Sequence, residues 1–450
     1  MALHALSPLD GRYSEAVEPL REFFSEYVYI RSRIRLELAW LEALAGAGLV
    51  RPLHAPELAL GPLFSDSDAR RVQELERTTR HDVKAIEYFL REHLGADLHA
   101  WIHFGLTSED INNLAAALAL RDSRDSTLLP ALDALIDSLR LFAGKYRLAP
   151  MLARTHGQPA VPTTLGREIA VFVARLRKCR ERLAAHRFEG KLTGAAGSFN
   201  ALHAALPNID WLRLSHAFIE NLGLAPNLVT TQILPYDNWV NYFQLLHLAN
   251  SVLLDYTHDI WRYISDGILI QLPSGGEIGS STMPQKVNPI DFENAEGNLG
   301  LSNALLAHYA QKLPISRLQR DLSDSTVRRT FGSALGHALL AWQNIQQGMS
   351  RLSANEPRMS AELLAHWEVV TEGAQTLLRL AGHPDAYETL RSLARGRTLS
   401  EADYLGWVDS LSVDQPLRDR LIALTPLTYT GLAVEIVDEV LHEIHPHDQD

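Results

Sequence analysis

Cysteine is almost absent from this chain, with Cys179 the only one in 450 residues. A disulfide framework and a cysteine-based metal site are therefore both excluded. No stretch approaches the roughly 20 consecutive apolar residues that a membrane span needs. The start, MALHALSPLDGRY, lacks the basic and apolar regions of a signal peptide, so a soluble cytoplasmic protein is expected. Positive charge is scarce too: 42 Lys and Arg stand against 54 Asp and Glu, for a net charge of −12. That balance does not suit a nucleic-acid surface, which needs clustered cations to replace phosphate counterions. Any anionic ligand must find its positive partners locally. Short alternating runs between turn signals, the mark of a sheet, are missing, as are internal repeats. The tail HEIHPHDQD brings His442, His445 and His447 together, but reads as a frayed solvated end and not a metal site.

What the chain does have is apolar residues three and four apart over long segments, in a composition that is 46% hydrophobic. From Tyr236 to Ile264 the seam is Leu246, Ala249, Leu253, Tyr256, Ile260 and Tyr263. From Thr163 to Phe188 it is Leu165, Ile169, Phe172, Leu176 and Leu183. The expected fold is all-α, with helices of about 25 to 30 residues, well beyond the usual length. Seams that long commonly continue into a partner's helices, so a homo-oligomer built on a shared bundle is expected. Breaks at Gly95–Asp97 and Ser353–Pro357 divide the chain into an N-terminal helical region (1–96), a central bundle (97–352) and a smaller C-terminal helical region (353–450).

The most informative segment runs from Ser274 to Asn298, SGGEIGSSTMPQKVNPIDFENAEGN. Gly275, Gly276 and Gly279 give the backbone freedom to carry Ser280, Ser281 and Thr282 over a ligand and away again. Asn288 suits an N-cap, Pro289 the first helical position and Asp291 the first turn. The free N–H groups of that helix start and the Lys286 ammonium would converge on one negative group.

Four further segments combine polar residues with turns or helix starts. In RTHGQPAVPTT, Gly157, Pro159 and Pro162 forbid a continuous helix and hold His156 in a rigid corner between long helices. In HFGLTSEDINN, Thr107 or Ser108 can cap a helix whose first turn Glu109 and Asp110 complement, and capping explains most of that pattern. ERTTRHDVKAIEYFL groups Arg80, His81 and Asp82, which on spacing alone reads as a surface charge cluster. KLPISRLQRDLSDSTVRR collects Lys312, Arg317, Arg320, Arg328 and Arg329 against only Asp321 and Asp324. Guanidinium forks match phosphate and carboxylate oxygens, and a solvated helix face with i, i+4 pairs meets the same pattern equally well.

Taken together, these segments resemble a known family. The string GSSTMPQKVNP resembles the GSSxMPxKxNP loop of the aspartase/fumarase superfamily. SPLDGRY, RHDVKA, HFGLTSEDINNL, RTHGQPA, TTQILPYD and RDLSDSTVRR are similar, in order and across nearly the whole chain, to blocks of the bacterial adenylosuccinate lyases. Gln285 departs from that pattern, since MPQK is a form associated with argininosuccinate lyases. The resemblance implies three helical domains, a homotetramer whose central domains pool their helices, and active sites shared between subunits. It implies β-elimination of fumarate from small-molecule nucleotide substrates, adenylosuccinate and the succinyl-carboxamide ribotide of purine synthesis, with no metal and no cofactor. By the same resemblance Ser280 is the general base and His156 the general acid. Arg12, Tyr13, Arg80, His81 and Asp82 hold the nucleotide. Thr107, Ser108, Gln232, Lys286 and Asn288 surround the succinyl carboxylates, Asn294 belongs to the substrate-binding set, and Arg320, Ser325 and Arg329 hold the phosphoribosyl end.

Overall fold

The computed structural model of the protein describes residues 3–273, 282–283 and 285–442. Helices dominate it, as the 3.6-residue periodicity requires. In chain order, those that carry the argument are α1 (Glu26–Gly46), α2 (Asp82–His93), α3 (Ser108–Ser123), α4 (Leu165–Ala185), α5 (Asp237–Ser265), α6 (Ile290–Lys312), α7 (Ser323–Arg328) and α8 (Phe331–Met349). The seams expected from sequence are buried except at one end: Leu246, Ala249, Leu253, Tyr256 and Ile260 of α5 have no exposure while Tyr263 is half-buried, and Leu165, Ile169, Phe172, Leu176 and Leu183 of α4 are all buried. Helix α6 begins at Ile290, with the Pro289 carbonyl already accepting from Glu293 N–H. Among the described residues, no helix is long and apolar enough to cross a membrane.

The chain forms two compact units. The first comprises 1–132, 179–251 and 297–343. Aromatic rings from three of its helices, Phe243, Tyr309 and Phe331, stack within about 5 Å of one another in edge and tilted contacts. Beside them Asn250 donates to Ser302 Oγ at 3.1 Å, Ser302 donates to the Ala334 carbonyl at 2.8 Å, and Trp342 Nε1 donates to Asn250 Oδ1 at 3.0 Å. A buried polar chain of that kind costs free energy unless every member is paired, so it fixes the register of α5, α6 and α8 where leucines alone would tolerate slippage. A separate apolar cluster, with Ile34, Leu38 and Leu41 of α1 against Ile86, Phe89 and Leu90 of α2, supports the region below residue 105.

The second unit comprises 133–178, 252–296 and 344–450. A β-hairpin in it joins strands β1 (Pro150–Thr155) and β2 (Gln158–Thr164), antiparallel, with a register shift between Leu152 and Arg154. The sequence pattern led to an expectation of a non-helical corner there; the chain closes it with strand pairing, because the prolines remove only donors that a two-stranded ribbon leaves outward. Leu152 anchors the hairpin in a cluster with Leu363, Trp367, Val370 and Tyr404 from the C-terminal helices.

Candidate active site

His156 and Gly157 are the two central residues of the hairpin, with φ of 53° and 74°. Two consecutive positive φ values make a type I′ turn, the geometry whose twist matches paired strands. Thr155 pairs with Gln158 across it, and His156 is exposed at the tip. A non-glycine residue in the left-handed region costs about 1–2 kcal/mol, least for short polar and imidazole side chains. His156→Val should therefore lower stability by about 1–2 kcal/mol in chemical denaturation while His156→Gly does not, because only valine's branched Cβ conflicts with the turn.

In the same unit, Lys286 is exposed and Asn288 half-buried ahead of α6, while Asn294 accepts from Asn344 Nδ2 at 2.9 Å. Ser280, with the rest of 274–281, lies outside the described residues.

The remaining expected residues belong to the first unit. Arg80, in the left-handed conformation at φ 52°, ends the helix before α2, and His81 caps α2 by accepting from Lys84 N–H at 3.2 Å. Asp82 is held from behind: Arg33, almost wholly buried, donates to Asp82 Oδ2 at 2.6 Å and to Asn112 Oδ1 at 2.8 Å. Burial opposes ionisation of Asp82, but the Arg33 guanidinium and the Val83 N–H outweigh it and hold the carboxyl below its usual range. Arg12 lies over the Tyr13 ring with its guanidinium carbon 5.9 Å from the centroid. Gln232 donates to the Ala195 carbonyl at 2.9 Å.

The start of α3 carries two fully buried carboxylates. Asp110 has no exposure. It accepts from Thr107 N–H at 2.9 Å, as the capping pattern requires, and also from Thr193 N–H at 2.9 Å and Lys191 Nζ at 2.9 Å. Glu109, likewise fully buried, accepts a two-pronged bond from Arg328 Nη1 and Nη2, both 2.9 Å, with Arg320 Nη1 at 3.1 Å and the Tyr236 hydroxyl at 3.1 Å. The Tyr236 oxygen is also 2.8 Å from Asp324 Oδ2. Burial first, then the neighbouring carboxylates, push the Tyr236 phenol well above its usual value. Ser325, Arg328 and Arg329 line a cavity of about 150 Å³ with Tyr29, Glu26 and Phe331, and Arg329 sits 3.7 Å from Glu26.

Sequence comparison decides the family. A family model described as "Lyase" matches residues 11–302, and one described as "Adenylosuccinate lyase C-terminal" matches residues 316–430. The chain is 45% identical to the adenylosuccinate lyase of Haemophilus influenzae over 97% of this chain and 99% of that protein. Identity to the Escherichia coli K12 adenylosuccinate lyase is also 45%, over 98% and 99%, and to that of Dictyostelium discoideum 42%, over 96% and 97%.

The chain belongs to the adenylosuccinate lyase family.

Its architecture agrees with that of solved relatives. The fumarate lyase from Mesorhizobium superimposes with a TM-score of 0.78 at 19% identity, over 95% of this chain and 98% of that one. The 3-carboxy-cis,cis-muconate lactonizing enzyme from Pseudomonas putida gives 0.74 at 25%, over 94% and 96%. The all-α fold expected from periodicity is thus shared with these two solved structures.

Within that frame, sequence reading passed over the residues that hold the basic segment in place. By sequence Arg328 is one of five cations in that segment; the structure commits both of its terminal nitrogens to Glu109, with Nη2 also 3.2 Å from Asp324, and leaves its side chain 6% exposed. Glu109 itself reads as a helix-start charge, and Tyr236 only as the start of a helical segment and part of the block TTQILPYD. The one available signal was the crowding of charge beside apolar residues in LTSEDINNLAAAL, where a solvated first turn would not run straight into a fully buried helix face.

Proposed function

We propose that the chain is an adenylosuccinate lyase of purine nucleotide biosynthesis, cleaving adenylosuccinate to AMP and fumarate and the succinyl-aminoimidazole-carboxamide ribotide to the free carboxamide ribotide and fumarate. The observation that carries this reading is 45% identity to named adenylosuccinate lyases along essentially the full length of both chains. The elimination takes a proton from the carbon next to a succinyl carboxylate as the C–N bond on the adjacent carbon breaks and the double bond of fumarate forms. Ser280 takes the proton. A serine alkoxide is improbable in water, so Lys286 and the amides of its loop stabilise it in a closed, water-poor pocket. His156 gives a proton to the departing nitrogen, a task suited to an imidazole because it exchanges protons near neutral pH. Thr107, Ser108, Gln232, Lys286 and Asn288 surround the succinyl carboxylates, with Asn294 beside them. Arg12, Tyr13, Arg80, His81 and Asp82 hold the nucleotide, and Arg320, Ser325 and Arg329 its phosphoribosyl end.

The proposed subunit has the divisions 1–96, 97–352 and 353–450, works in the cytoplasm, and assembles as a homotetramer with shared sites. An exposed His156 on a strained turn supports that assembly, since a catalytic acid needs a cleft that the tip of one hairpin does not supply. Loss of adenylosuccinate absorbance with matching fumarate release, and none from argininosuccinate, is the expected result. Fumarate from argininosuccinate alone would overturn the reading.

A further inference from the structure

Two arginines meet one buried carboxylate at the start of α3, and they are not equivalent. Arg328 spends both terminal nitrogens on Glu109 at 2.9 Å, and its Nη2 is also 3.2 Å from Asp324 Oδ2. Its side chain is 6% exposed, and both terminal nitrogens are committed to those carboxylates. Arg320 is different: Nη1 bonds Glu109 Oε2 at 3.1 Å, its side chain keeps 19% exposure, and it makes no other hydrogen bond among the described residues. One edge of its guanidinium is docked and the rest of the fork is left for an anion.

We infer that Glu109 is a positioning residue for phosphate binding: it anchors Arg320 from behind, so that the outward edge of the guanidinium meets the substrate's phosphate already oriented. This rests on the reading of Arg320 as part of the phosphoribosyl site. An arginine side chain carries about 2 kcal/mol of rotamer entropy, and docking one edge removes much of that cost before the ligand arrives. An unpaired carboxylate beside a phosphate would repel it. Arg328 removes that objection by neutralising Glu109 through a two-pronged bond, and the Tyr236 hydroxyl completes the shell of donors that keeps Glu109 from moving. The arrangement thus uses one arginine as structure so that a second can serve the ligand.

The test is a comparison of Glu109→Gln, Glu109→Asp and Arg320→Lys with the wild-type protein. Steady-state kinetics are measured on adenylosuccinate and on its dephosphorylated nucleoside, together with AMP affinity by calorimetry. Glu109→Gln is expected to raise KM for adenylosuccinate and Kd for AMP about tenfold or more, with kcat within about threefold and the nucleoside's KM unchanged. Arg320→Lys should give the same pattern, and the double variant should be little worse than either alone, because both remove one oriented fork. Glu109→Asp keeps the charge one methylene short and serves if the glutamine variant does not fold; it should lie between. Unchanged KM and AMP affinity in the folded Glu109 variants, or equal losses on nucleotide and nucleoside, would overturn the positioning role. A wild-type protein that binds AMP but releases no fumarate from adenylosuccinate would instead overturn the functional reading.

Discussion

Purified His156→Ala and Ser280→Ala proteins should each lose turnover of adenylosuccinate by about 10³-fold or more, while keeping wild-type circular dichroism and oligomer size. The two losses have different chemical origins. On the proposed roles, without the imidazole the nitrogen must leave unprotonated, and without the hydroxyl nothing removes the weakly acidic proton. If the sites are shared between subunits, mixing the two inactive proteins and allowing exchange restores sites in which both residues are native. Random exchange at equal amounts gives roughly a quarter of wild-type activity. No recovery after mass spectrometry has verified exchange would sink the shared-site assembly while leaving each residue's own role intact.

Asp110→Ala is expected to be the most damaging single change to the fold of the first unit. The carboxylate has no exposure and accepts from the N–H groups of Thr107 and Thr193 and from the Lys191 ammonium, which is also fully buried. Removing it leaves that cation and three backbone donors, the N–H of Gly194 included, without that partner in a dry interior, a loss of about 3–5 kcal/mol. Urea denaturation should show the shift directly. Pairing the change with Lys191→Met should recover part of the loss, because the second change removes the stranded charge. A double variant as unstable as the sum of its singles would show that Lys191 does not depend on Asp110.

How much of this was legible in the residue string differs from element to element. The length and burial of α5 were legible because a helix face repeats every three or four residues and its seam of Leu246, Ala249, Leu253, Tyr256 and Ile260 is apolar without interruption. The start of α6 was read one residue early, at a boundary that capping chemistry places only approximately. The hairpin bearing His156 was legible as an interruption but not as paired strands, since its prolines speak against a central strand and say nothing against a lone ribbon. The candidate catalytic residues came from resemblance to a family, a source that carries roles without geometry.

Periodicity, composition and ordered motifs are local properties, and from them follow the helical class, the absence of a disulfide framework and the membership of a fumarate-releasing lyase family. Which of several like-charged side chains is structural and which faces a ligand is not local. Arg320 and Arg328 lie eight residues apart in one basic segment, and what separates them is Glu109, more than 200 residues earlier in the chain. Only the packing of α3 against that segment removes water from the carboxylate, and only in that low-dielectric setting does one guanidinium become committed while its neighbour keeps an open edge.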